Sequence, residues 1–119
     1  MGTPVSTADL LWILREAVVG LVRREHAGLT LRELSVFLKC YVGEGHHSPT
    51  DLARELTVGT PAITRALDGL EEFDLARRKV DPSDRRRIFV GRTAKGAAFL
   101  RELWGMIERA AVRPVAARV

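Results

Sequence analysis

The chain has 119 residues, 46% hydrophobic and 29% charged, the size and balance of one globular domain, which excludes a disordered tail. The longest unbroken apolar run, Leu10 to Leu14, is far short of the roughly 20 residues that cross a bilayer; no secretory leader is expected, and a single cysteine excludes an internal disulfide framework and fits a reducing, cytoplasmic setting. The net charge of +4 is modest, but residues 75–95 hold eight bases against two acids, a local +6, while the other 98 residues, with 11 bases and 13 acids, sum to −2. A basic segment on a slightly acidic body is the footprint of a polyanion-binding face, with a solvated charged hairpin as the alternative.

In chain order, the first helix is expected from Ala8 to Ala27, capped by Ser6 or Thr7 and closed by Gly28. Thr30 with Glu33 forms a capping box and starts a second helix near Leu31, expected to end near Gly43 to Gly45. Ser48-Pro49, with Asp51 in the first turn, begins a third helix to Leu56, and Thr60-Pro61 repeats the signal for a fourth to Phe73. The period then changes: Leu75 to Val80 and Arg86 to Arg92 read as strands around the turn Asp81-Pro82-Ser83-Asp84. That turn should place Arg85 at the hairpin tip. Thr93 caps a last helix, Ala94 to Val112, stopped by Pro114. The chain is therefore read as a single domain, mostly α with a small β-hairpin.

The third and fourth helices are separated by about three residues, so they must cross steeply. Ala53 suits the close crossing, and Leu52, Leu56, Val58, Ile63 and Leu67 fill the space between them. This is helix-turn-helix spacing, and the basic hairpin that follows makes it a winged helix-turn-helix. On the fourth helix, Ile63, Ala66, Leu67, Leu70 and Phe73 recur at core spacing. The opposite face carries Thr60, Thr64, Arg65, Asp68 and Gly69, short side chains and one arginine that allow close approach to a duplex, with free N–H groups at the helix start for a phosphate. A plain solvent face is the alternative.

The run from Asp51 to Glu71, together with residues 75–78, the Asp81 to Arg87 segment and Thr93 to Gly96, resembles the DNA-reading unit, wing and following helix of the multiple antibiotic resistance regulator (MarR) family. The resemblance covers roughly residues 30–103, and the Asp-Arg-Arg of the wing is its most specific part. It implies a homodimeric transcriptional regulator, often a repressor, that binds palindromic double-stranded DNA and is often released by a small ligand or by oxidation. It makes Thr64 and Arg65 candidates for the major groove and Arg85 the arginine for the minor groove, with Asp84 and Arg86 shaping the wing; Thr60, Asp68, Arg78 and Arg87 complete the candidate DNA-binding set. The sequence departs from the family pattern at Thr57 and Asp74, where glycine is usual, and at Ser83, where a further wing arginine is common.

Ala8 to Ala27 has twelve apolar residues of twenty, and Ala94 to Val112 twelve of nineteen. A surface helix needs only a stripe of three or four per two turns, so the surplus is expected to form a two-fold dimer interface, or else to pack within one chain. Trp12 and Trp104 are candidates for an effector pocket, with core packing as the plainer reading. Cys40, on a half-buried helix, reads as a buried small hydrophobe, and His46 and His47 as loop residues without the spacing of a zinc site. No glycine-rich phosphate loop, nucleophile–base pair or metal-spaced carboxylates occur, so neither an enzyme nor a cofactor is expected. The rivals to a regulator are a winged-helix module that contacts protein and an architectural DNA binder without sequence preference.

Overall fold

The computed structural model of the chain describes residues 6–24 and 28–112. Among these the elements run α1 (Thr7–Val22), α2 (Leu31–Tyr41), α3 (Pro49–Leu56), α4 (Thr60–Glu72), β1 (Ala76–Asp81), β2 (Asp84–Arg92) and α5 (Ala94–Val112). This matches the mostly helical winged helix-turn-helix expected from the sequence. The chain divides into two compact units, residues 29–99 and residues 1–28 with 100–119, with the division inside α5.

In the unit of residues 29–99 side-chain caps start α2, α3 and α5. Thr30 Oγ1 accepts from the Glu33 N–H at 3.0 Å and the Glu33 carboxylate accepts from the Thr30 N–H at 2.7 Å, the reciprocal box that satisfies two orphan donors. Ser48 Oγ accepts from the Asp51 N–H at 3.1 Å, with Pro49 in the first turn of α3. Thr93 Oγ1 caps α5 by accepting from the Gly96 N–H at 2.8 Å. α4 starts one residue earlier than expected, on Gly59, with no side-chain cap bond.

The turn between α3 and α4 is residues 57–59. It closes because Thr57 adopts a left-handed φ of 56° and the Val58 N–H returns to the Ala53 carbonyl at 3.0 Å, a helix end usually given to glycine. Asp74 does the same after α4, at φ 57°, with the Leu75 N–H on the Leu70 carbonyl at 2.9 Å. Both departures from glycine thus stand at positions that demand a left-handed backbone.

Val36 and Phe37 of α2, Leu52 of α3, Ile63, Leu67 and Leu70 of α4, and Leu75 are almost wholly buried and form the core between the three helices and the hairpin. Ala53 is buried at the α3–α4 crossing, as its size suggests. Tyr41 stacks on Phe37 at 4.2 Å between ring centroids, and Phe99 meets Phe37 edge-on at 5.1 Å. α2 stops at Tyr41 rather than near Gly43, because Val42 turns to extended backbone (φ −114°, ψ 118°).

The other unit pairs α1 with the second half of α5. α1 opens on Ser6, whose hydroxyl accepts from the Asp9 N–H at 3.1 Å. It ends at Val22 with Arg23 as its cap, short of Ala27; residues 25–27 and Pro114 lie outside the described residues. Ala17, Leu103, Met106 and Ala110 are buried. A Cβ on Gly20 would stand 2.6 Å from Met106 Sδ, so glycine lets the two helices approach there. Leu11, Leu14, Val18 and Val22 of α1 and Trp104 and Ile107 of α5 remain exposed. Among the described residues no helix is long and apolar enough to cross a membrane.

Candidate nucleic-acid interface

α4 presents Thr60, Thr64, Arg65 and Asp68 to solvent while Ala62, Ile63, Ala66, Leu67 and Leu70 face the core. Thr64 Oγ1 donates back to the Thr60 carbonyl at 3.2 Å, which leaves its oxygen lone pairs outward. Arg65 has no ion-pair partner among the described residues. Gly69 belongs elsewhere than the sequence places it. A Cβ there would lie 1.7 Å from Glu33 Oε2, so its missing side chain makes room for the α2 capping box, not for a ligand.

The hairpin projects beyond this helix. β1 and β2 pair antiparallel from Ala76↔Arg92 to Val80↔Ile88; the register then shifts, so that Asp81 pairs with Asp84 around Pro82 and Ser83 and residues 85–87 fall outside the regular ladder. Asp81 tightens the turn by accepting from the Ser83 N–H at 2.9 Å and from Ser83 Oγ at 2.7 Å; these bonds hold the Asp81 carboxyl below its ordinary range. Arg85 stands on β2, one residue past the turn, in the irregular end of the hairpin beyond the Val80↔Ile88 pair. It is exposed and has no ion-pair partner among the described residues. Asp84 collects the next two arginines: its Oδ1 accepts from the Arg86 N–H at 3.1 Å and Nε at 3.3 Å, and Arg87 Nε lies 3.6 Å from its Oδ2. Such open pairs hold little energy, and both guanidinium groups stay in solvent.

Arg78 differs from these arginines. Its backbone N–H donates to Glu71 Oε2 at 2.9 Å and its Nε to Glu71 Oε1 at 3.1 Å. Its Nη2 bonds Glu71 Oε1 and, at 2.5 Å, Asp68 Oδ1. The Glu71 carboxyl is held below its ordinary range, chiefly by the Arg78 side-chain hydrogen bond, against the opposing effect of its own burial. Arg78 and Asp68, two expected DNA contacts, thus face each other.

A second element joins the face that sequence reasoning passed over. The segment before α3 lies along the hairpin, where the Val90 N–H donates to the His47 carbonyl at 2.9 Å and the His46 ring meets Phe89 edge-on at 5.3 Å. Between the α3 start and the wing lies a cleft of about 620 Å³, lined by His46, Ser48, Thr50, Asp51, Arg86 and Arg87 among others. The Ser48-Pro49 start signal was its only trace in the sequence, because the pairing with β2 spans more than forty residues.

The remaining candidates separate. Trp12 lines a groove of about 830 Å³ within the α1–α5 unit, with Val19, Gly20, Arg23, Met106 and Arg109, and its buried Nε1 has no hydrogen-bond partner among the described residues. Trp104 is 62% exposed and does not line that groove. It sits on a different face of α5 from Met106 and Ala110, so of the two candidate tryptophans the groove takes in Trp12 alone. Cys40 is buried, and burial pushes its thiol up to about 11 despite the nearby charges of Arg92 and Lys39. Among the described residues no three His, Cys, Asp or Glu side chains gather in a way that could hold a metal ion.

Comparison with known proteins agrees with this geometry. The transcriptional regulator Tm0710 from Thermotoga maritima is 26% identical with a TM-score of 0.72, over 84% of this chain and 68% of that one. MarR itself is 29% identical with a TM-score of 0.62, over 85% and 74%. CouR from Rhodococcus jostii, solved bound to p-coumaroyl-CoA, is 26% identical with a TM-score of 0.64, over 82% and 66%. No curated protein matches the sequence. The MarR family model matches residues 29–88, half of the chain and all of the helix-turn-helix. With that match laid over the reading helix and wing described above, the chain belongs to the MarR family of DNA-binding transcriptional regulators.

Proposed function

We propose that the chain acts as a homodimeric repressor of a palindromic operator and is released by a small ligand. The observation that carries the DNA reading is the pair of exposed arginines without an ion-pair partner among the described residues, Arg65 on α4 and Arg85 on β2, with β1 packed between these elements. Arg65, with Thr60 and Thr64, faces the major groove, where an arginine can hold both acceptors of a guanine edge. Arg85 enters the minor groove and reads its width and potential. Arg86, Arg87 and the cleft beside the α3 start take phosphates, which position the protein without reading sequence. Arg78 and Asp68 take another part, since their charged groups already meet.

Dimerisation is supported by stripes that nothing in the chain's described residues covers. Leu11, Leu14, Val18 and Val22 follow helical spacing on α1, and Trp104 and Ile107 do so on α5; water-exposed stripes of this kind are buried by a second helix pair. A ligand response is supported by the Trp12 groove, where the indole N–H, without a hydrogen-bond partner among the described residues, would donate to a polar ligand atom, and by the ligand-bound state of CouR.

Selection of duplexes from a random pool at physiological salt tests the whole reading. The expected winner is a palindrome bound by a species of twice the 13.2 kDa chain mass in light scattering. Arg65→Ala should relax the preference at one position per half-site by roughly 1–3 kcal/mol. Arg85→Ala should weaken binding most on sites with narrow A·T-rich flanks while helix content stays unchanged. Equal affinity for winner and random duplex would make the protein an architectural binder. Wild-type affinity in Arg85→Ala would leave the wing as a solvated hairpin.

A further inference from the structure

We infer that Arg78 is a positioning residue that locks the wing to the recognition helix and takes no DNA phosphate itself. The inference rests on the DNA-binding reading and adds how the two reading elements keep their spacing. Glu71 and Asp68 lie three residues apart, on one face of α4. Arg78 lies on β1, and its backbone N–H points away from β2 toward α4, where Glu71 Oε2 accepts it at 2.9 Å. The guanidinium then reaches both carboxylates, with Nε on Glu71 Oε1 at 3.1 Å and Nη2 on Asp68 Oδ1 at 2.5 Å. One side chain and one peptide group thus tie strand to helix at two successive turns of α4.

Exposure and charge separate this arginine from its neighbours. The side chain of Arg78 is 29% exposed, against 91% for Arg86 and 78% for Arg87. The three charges of Arg78, Asp68 and Glu71 sum to −1, so the cluster as a whole repels a phosphate. A guanidinium whose fork is already matched to carboxylates has no bidentate geometry left for a second anion. What the cluster can supply to DNA recognition is geometry. Arg65 lies one turn before Asp68 on the same helix, and Arg85 lies on the strand paired with β1. The lock therefore sets the distance between the major-groove and minor-groove arginines, and misplacing either forfeits simultaneous contact.

Glu71→Gln decides between the lock and a direct contact, because the two give opposite signs. If Arg78 were a phosphate ligand restrained by Glu71, removing that negative charge would free it and tighten binding. As a lock component, Glu71→Gln weakens binding to the selected duplex. Arg78→Gln weakens it by roughly tenfold, and the double variant is no worse than the weaker single. The dependence of log K on log salt is the second readout. Loss of one phosphate contact lowers its slope by about 0.9 on duplex DNA. The slope should stay at the wild-type value in Arg78→Gln and fall in Arg87→Ala, which serves as the phosphate control. Far-UV circular dichroism and thermal unfolding verify that each variant is folded, and Glu71→Gln, which keeps an acceptor for the Arg78 N–H, carries the test if Arg78→Gln does not fold. Tightened or unchanged binding in Glu71→Gln, or a slope lowered by about 0.9 in Arg78→Gln, overturns the lock. Failure of the wild type itself to select any duplex overturns the DNA-binding reading first, and the lock with it.

Discussion

Tyr41→Phe is the sharpest test of how the wing is anchored to the helices. The buried Tyr41 hydroxyl donates to the Leu75 carbonyl at 2.6 Å and accepts from the Thr93 N–H at 2.9 Å. One oxygen thus joins the end of α2 to the residue before β1 and to the cap of α5. Phenylalanine keeps the ring and its 4.2 Å stack on Phe37, so the substitution removes the hydroxyl and little else. Two backbone groups, the buried Leu75 carbonyl and the part-buried Thr93 N–H, lose their partner, at about 1–3 kcal/mol for an unsatisfied buried group and less for the other. Some relaxation is expected, so the total loss should be about 2–4 kcal/mol, a large share of the roughly 5–15 kcal/mol that holds a domain together. Water offers no substitute at close quarters: a Cβ on Gly96 would already stand 1.9 Å from the Tyr41 oxygen, so the space left is that of a single atom. Urea unfolding should show a lower midpoint with an unchanged slope, and native-state hydrogen exchange should speed up at the Thr93 amide in particular. A loss under about 0.5 kcal/mol, within the range of neutral surface substitutions, or unchanged exchange at Thr93, would refute the argument.

Thr57 holds a left-handed φ of 56° at the turn of the helix-turn-helix, a conformation that costs a β-branched residue about 1–2 kcal/mol. Thr57→Gly relieves this and gives back about 0.4–1 kcal/mol through the freer unfolded chain, so the midpoint of thermal unfolding at fixed protein concentration should rise by roughly 2–6 °C; a fall would place the strain elsewhere. Cys40, with its thiol pushed up to about 11 by burial, should react with iodoacetamide at pH 8 far more slowly than a free cysteine and fully once unfolded; rapid labelling of the folded protein would show that the site opens.

The elements legible in the sequence are those whose signals act within four residues. Ser48-Pro49, the Thr30 and Glu33 box and Thr93 each satisfy N–H groups one turn away, so the starts of α2, α3 and α5 follow from local chemistry alone. The helix-turn-helix was readable for the same reason, since three residues between two amphipathic helices permit only a steep crossing. The end of α2 was readable to within two residues from Gly43, whose φ is 109°, whereas α1 stops at Val22, well short of the Gly28 signal, with no glycine or proline beside it. Gly69 read as a face open to a ligand because its real neighbour, Glu33, lies 36 positions away in the chain. Trp12 and Trp104 read alike by hydrophobicity, yet one lines a groove and the other faces solvent. The basic cluster shows the division most plainly. Counting charges finds a segment of +6 and treats each arginine as equal. Only the folded chain brings Asp68 and Glu71 to Arg78 while leaving Arg65 and Arg85 without a counter-charge among the described residues, because electrostatic neutralisation depends on distance in space, which local sequence does not encode.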